Sequence, residues 1–222
     1  MRKIFMMLLC FISESFFCQT YHFDYKCYDV ETQSKGNYKG NKRTNIIYFS
    51  SENKNIIAYN YFFSQQPNRS FRIYDYHSNL AFSYSINRDS NFSSLNFNQK
   101  SQINKYPDEL IIKRIDVQNI GENQFIIKTY SSLKNKRSNL ELKVTVMKSD
   151  YPMPVIHFLD LSPNIHSKIY DALLANLDSE NYRLMEVVSN HKNGVVMLDD
   201  FSKCEKINLK ILTHDKAESQ DK

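Results

Sequence analysis

The stretch "YHFDYKC", residues 21–27, alternates Tyr21, Phe23, Tyr25 and Cys27 with His22, Asp24 and Lys26. A period of two belongs to a strand with one buried face, because successive side chains leave opposite sides of a pleated backbone. The same pattern recurs along the chain. "TNIIYFSS" (44–51) and "NIIAYNYFF" (55–63) flank the turn residues Glu52-Asn53-Lys54, and "FRIYDY" (71–76) and "LAFSYSI" (80–86) flank His77-Ser78-Asn79. Two hairpins are predicted there. Ile111, Lys113, Ile115 and Val117 lead through Ile120-Gly121-Glu122-Asn123 into "QFIIKTYSS" (124–132), a third. In "NLELKVTVMK" (139–148), Leu140, Leu142, Val144 and Val146 share one face.

One segment departs from the two-residue period. Ser162 is a good N-cap, Pro163 suits the first helical position, and Ile165, Ile169, Leu173 and Leu177 follow at intervals of four. The spacing predicts an amphipathic helix near residues 163–177, with those side chains lining either an apolar cavity or the core. Strand-like "PVIHFLDL" (154–161) precedes it and "YRLMEVVS" (182–189) follows it. Asn193-Gly194 then predicts a tight hairpin into "VVMLDDF" (195–201), and "KINLKIL" (206–212) closes the fold. The expected fold is mainly β, an antiparallel sheet or half-open barrel of about ten strands with one amphipathic helix. Fifteen Phe and 15 Tyr, with no Trp, supply its inner faces.

Upstream of the first strand, Arg2-Lys3, the apolar run Ile4–Ile12 and the mixed Ser13–Cys18 follow the order of a secretory signal peptide. The apolar run is about half of the roughly 20 residues that span a bilayer. Cleavage after Cys18 is expected, leaving one β-rich domain over 19–213 and a polar, disordered tail over 214–222. Lipid anchoring is disfavoured, because the bulky Phe16-Phe17 and Leu8-Leu9 precede Cys18 and Cys10 where a lipidation motif needs small residues. The protein is therefore expected outside the cytoplasm, periplasmic or secreted. Cys27 and Cys204 then remain in an oxidising compartment, either bonded to each other or as two buried thiols.

The net charge of +5 is mild. Its basic clusters, Lys35, Lys39, Lys42 and Arg43, then Lys134, Lys136 and Arg137, are interleaved with Asn, Ser or Gly, as in solvated turns. Nucleic acid is not an expected partner. Residues 87–105, rich in Asn and Ser, have no clear period and read as a long loop; Phe92, Leu95 and Phe97 within it could form a lid over an apolar site, or belong to a surface strand with an irregular hairpin.

Catalytic signals are sparse. Four glycines allow neither a phosphate-cradling loop nor a nucleophile elbow. No zinc-hydrolase, Cys-x-x-Cys or calcium-loop motif occurs, and His157 and His166 alone do not make a metal site. Asp199 and Asp200 face opposite sides of any strand that holds them, and Asp178 and Glu180 fall in the loop after the helix. No enzyme, cofactor or metal is expected.

The segments "FFCQT" (16–20), "YHFDYKCYD" (21–29), "DLSPNIHSKIYDAL" (160–173), "NGVVMLDDF" (193–201) and "KINLKIL" (206–212) resemble small exported β-rich proteins of Gram-negative bacteria, most without an assigned function. The strand-rich order with one helix is also similar to the periplasmic lipoprotein-carrier class, whose half-open barrel holds acyl chains. That resemblance implies a hydrophobic cavity lined by aromatic and aliphatic side chains. The expected function is a non-enzymatic binding or carrier protein enclosing an apolar small molecule or lipid. The alternatives are a structural or interaction protein with a filled core that holds another envelope protein, and thirdly an outer-membrane barrel.

Overall fold

The structure is a computed structural model that describes residues 19–53, 55–61, 68–87, 95–103, 108, 110–150, 161–179 and 181–213. The expected leader over 1–18, the tail over 214–222, Phe92 and His157 lie outside the described residues.

Among the described residues, twelve strands form one open antiparallel sheet. They are β1 (Gln19–Lys35), β2 (Lys42–Phe49), β3 (Ile56–Tyr61), β4 (Asn68–Asp75), β5 (Leu80–Asn87), β6 (Leu95–Gln102), β7 (Arg114–Gly121), β8 (Gln124–Tyr130), β9 (Leu140–Lys148), β10 (Tyr182–Asn190), β11 (Val196–Asp200) and β12 (Cys204–Thr213). The helix spans Pro163–Leu174. Ser162 caps it as its spacing predicts, its hydroxyl accepting from the Ile165 N–H.

The lateral order is β6-β5-β4-β3-β2-β1-β11-β10-β9-β8-β7, with β12 paired to β1 off this path. The long first strand explains the branch. Its Val30–Lys35 half pairs with β11, and its Gln19–Cys27 half pairs with β12. β11 and β12 thus lie end to end along one side of β1, and β2 takes the other side from Tyr25 to Thr32. The fork opens at residues 201–203, where the Phe201 N–H donates to the Met185 carbonyl and the Tyr28 N–H to the Lys203 carbonyl. Cys27 and Cys204, directly opposite in register, are bonded there, with their Cα atoms 4.1 Å apart. The disulfide joins strands distant in sequence at the point where the sheet divides.

Two apolar cores result. Tyr21 and Phe23 join Tyr48, Ala58, Phe71, Ile73, Phe82, Tyr84, Ile86 and Ile211. Tyr25 and Cys27, on the same alternating face of β1, instead join a larger core with β8, β9, β10 and the helix. β1 changes core where its register with β12 shifts between Phe23 and Tyr25, a bulge that bends the pair. Asp24 holds the bend, accepting from both the backbone N–H and the hydroxyl of Ser51.

Three expectations are corrected. Leu95–Gln102 is the edge strand β6, the surface-strand alternative for this stretch rather than part of a long loop, with Phe97 edge-on against Tyr84 and Leu95 packed on the aromatic core. Leu95 and Phe97 therefore belong to a hydrogen-bonded strand and not to a lid. The connection at Asn193-Gly194 is longer than a two-residue hairpin: Asn190 pairs with Val196, and positive φ falls on Lys192 and Gly194. Arg43 is not merely solvated in its basic turn; its guanidinium donates to the buried Glu31 carboxylate across the β1–β2 ladder.

Candidate functional site

The larger core occupies one face of the sheet, and both arms of the fork contribute to it. From one arm come Tyr25, Cys27, Ile47, Phe49, Ile57 and Tyr59; from the other come Ile127, Leu142, Val144, Leu184 and Val187. On the helix, Ile165, Ile169 and Leu173 are fully buried against this face, and Leu177 packs on it partly buried just beyond the helix end. The four residues singled out by their spacing are thus brought together. Intervals of four place Ile165, Ile169 and Leu173 on one helical stripe, and the strands of the same core offer branched and aromatic side chains.

Along β1 the same face changes chemistry. Two more steps of the alternation that buries Tyr25 and Cys27 reach Asp29 and Glu31, both buried. On one side, Asp29 lies opposite Asn45 and Glu31 opposite Arg43. On the other side, Glu31 lies opposite Asp199, which in turn lies opposite Val187. Cross-strand partners share a face, so Asp29, Glu31 and Asp199 project to the side occupied by Val187 and Leu142. Ser189, which is 1% exposed and opposite Leu142 and Met197, projects there too. Asp200, next along β11, leaves the other way and caps the Ser202 N–H.

Arg43 is engaged by Glu31. Asn45 Nδ2 donates to Asp29 Oδ2 at 3.3 Å, whereas Asp29 Oδ1 and Ser189 Oγ have no hydrogen-bond partner among the described residues. Burial pushes the Asp29 carboxyl up to about 7, with the Glu31 and Asp200 charges adding to the rise and Asn45 and Arg43 opposing it.

No group of three or more His, Cys, Asp or Glu among the described residues is arranged to hold a metal ion. His166 is buried on the helix, while Asp178 is exposed and pairs with Lys148 at 3.3 Å. Asp29 and Glu31 lie outside the apolar alternation that ends at Cys27, and continuing its period by four residues reaches both. Neither a scan against family models nor a search of curated proteins finds a match for this chain.

Proposed function

We propose that this protein is an exported, non-enzymatic binding or carrier protein that holds an apolar ligand on the inner face of its open sheet, beneath the helix. The observation that supports this most directly is a single apolar core to which both arms of the fork and the apolar stripe of a 12-residue helix contribute. Displacing one short helix would uncover a groove of aliphatic and aromatic side chains, the composition ligand sites for apolar molecules have. The leader-like N-terminus supports export, as does an even cysteine pair that is bonded. An open sheet lacks the closed hydrogen-bond circuit that a membrane-spanning barrel needs.

The complete burial of Ile165, Ile169 and Leu173 favours a second reading, an interaction protein whose core is permanently filled. Native mass spectrometry of protein from the exported fraction, compared with its denatured mass, separates the two. An extra mass that disappears on denaturation is expected for the carrier. A bare chain beginning at Gln19 points to the filled core and to a protein partner. The denatured mass also reports any lipid on Cys18.

A further inference from the structure

We infer that one end of the sheet, led by the loop 131–139 between β8 and β9, docks on an anionic lipid membrane, with Leu133 and Ile111 entering the interface and the surrounding basic side chains meeting lipid phosphates. The inference goes beyond the carrier reading and does not depend on it.

Register carries the first step. Lys35 lies opposite Val196, Asn190 opposite both Val196 and Glu141, Lys128 opposite both Glu141 and Asp116, and Tyr130 opposite Arg114. The turn 36–41, the connection 191–195, the loop 131–139 and the segment 111–113 therefore fall at one end of the sheet. The three most exposed large hydrophobic side chains among the described residues are all there: Leu133 at 69%, Tyr38 at 68% and Ile111 at 64%. Singly, such residues need no explanation; their gathering at one end does.

Charge carries the second step. Lys35, Lys39 and Lys42 flank Tyr38, and Lys113, Lys134, Lys136 and Arg137 accompany Ile111 and Leu133, all of them exposed. None of these bases makes an ion pair among the described residues. The described acids nearest to them are already engaged: Glu31 by Arg43, Asp116 by Arg114 at 3.1 Å, Glu141 by Lys192 at 3.0 Å, and Asp108 by Lys168 at 3.2 Å. Residues 123–140 contain no acid, and Glu109 lies outside the described residues.

The third step is that the loop is held without using its apolar side chain. Arg114 Cζ lies 3.9 Å from the centroid of the Tyr130 ring, and its guanidinium donates to the carbonyls of Leu133 and Asn135. Asn139 Nδ2 donates to the Ile111 carbonyl at 2.9 Å, which ties both exposed aliphatic residues to one tip. Asn135 Nδ2 donates to Ser131 Oγ at 2.8 Å. Polar contacts thus order the backbone while the Leu133 side chain stays in water, so little ordering cost is left for docking. Apolar side chains that enter the headgroup boundary, ringed by bases, are what an anionic membrane surface binds. A polyanion such as an acidic glycan would use the bases alone and leave Leu133 and Ile111 in water.

The test is co-sedimentation of the mature protein with vesicles of phosphatidylethanolamine containing roughly one-third phosphatidylglycerol, against vesicles of phosphatidylcholine. The anionic vesicles should bind at least about tenfold more tightly, with the preference shrinking at about 0.5 M salt. Lys134→Gln, Lys136→Gln and Arg137→Gln together should weaken that binding at least about tenfold, and Leu133→Ser with Ile111→Ser about fivefold or more. All five side chains are exposed and Arg114 stays in place, so both variants should unfold at the native temperature. Lys210→Gln with Leu212→Ser, at the opposite end of the sheet where Leu212 faces Thr20, should bind as the native protein does. No binding to either vesicle, or equal binding to both, overturns the inference and leaves the carrier reading standing. Native binding by the Leu133 and Ile111 variant also overturns it, and with dependence on the bases retained would mean recognition of a polyanion by charge alone. An equal loss in the Lys210 and Leu212 variant overturns the placement at this end.

Discussion

The two cores use the same alternation to opposite ends. In the aromatic core, Phe23 meets Tyr48, Tyr48 meets Phe71, Phe71 meets Tyr84, and Tyr21 meets Phe82, with ring centroids 5.7 to 6.3 Å apart in tilted or edge-on pairs. Ala58 pairs with Tyr48 on one side and with Ile73 on the other, and its small side chain lets rings on β2 and β4 touch across the intervening β3. The hydroxyl of Tyr21 is accounted for as well, donating to Asp75 at 3.3 Å. The larger face begins in the same way and ends in carboxylates. Folding alone does not call for buried, charge-rich positions on an inner face, because apolar side chains of similar volume would serve stability as well or better. The difference separates a region built to hold the fold from one that keeps a stability cost for some other purpose.

The strongest test of that contrast is a pair of truncations. Phe71→Ala should cost about 3–5 kcal/mol, since its ring is locked between Tyr48 and Tyr84 and cannot be replaced by local collapse. Leu173→Ala should cost less, about 2–3 kcal/mol, because a single helix can settle toward the sheet. Urea unfolding of both variants reads the difference. A larger loss at Leu173 would make the helix a keystone and favour the filled core. Removing the disulfide by Cys27→Ala with Cys204→Ala should cost a comparable ~2–5 kcal/mol, because the bond closes a loop of 177 residues at the fork.

Asp29 sharpens the comparison from the other side. Its carboxyl titrates near 7 when folded and near the ordinary aspartate value when unfolded. The folded state therefore binds more protons between those values. Its contribution to stability is complete below about pH 4, declines as the pH rises through about 7, and is flat above that. Asp29→Asn should remove this slope and stabilise the protein at pH 8, by a few kcal/mol on the linkage relation. Urea midpoints at pH 5 and pH 8 measure it. An unchanged slope would mean that the cluster is already neutralised from within, and would erase the contrast with the aromatic core.

Much of this architecture can be read from alternation. Tyr21 to Cys27, the hairpins around 52–54 and 77–79, the face Leu140–Val146 and the helix from Pro163 all follow from periods of 2 and 3.6, because a one-sided core imposes them directly. β6 is less legible: as an edge strand with a register shift opposite Ser83 and Tyr84, its exposed residues Asn96, Asn98 and Gln99 need no apolar partners and its alternation is broken, so composition there resembles a loop. The fork is not legible at all. Nothing local in β1 says that its two halves take different partners, which depends on a bulge opposite Phe23 and on a break at 201–203. The carboxylate end lies between these cases. Its residues are on schedule in β1, but their gathering with Asp199 and Ser189 depends on that long-range pairing.

The smallest expected effect concerns how firmly the helix is held. Asp108 accepts from Ser162 Oγ at 2.8 Å, Asn164 Nδ2 at 2.9 Å and Lys168 Nζ at 3.2 Å, tying the start of the helix to the segment before β7. Burial alone would raise its carboxyl, but these donors outweigh it and hold the group below the usual carboxylate range. The tie is therefore present above the unfolded value, near pH 4, and lost as the pH falls through the lower folded value. Much of it faces solvent, so Asp108→Asn should change global stability by less than about 1 kcal/mol. Its effect should appear instead in hydrogen exchange. Amides of Ile169–Leu174 should exchange severalfold faster in the variant, while those of Phe71 and Phe82 in the aromatic core stay as they were. That outcome makes the helix a cover with its own opening equilibrium. Equal protection in variant and native protein would mean that the helix opens only with the whole sheet, and the two cores would then differ in chemistry but not in mobility.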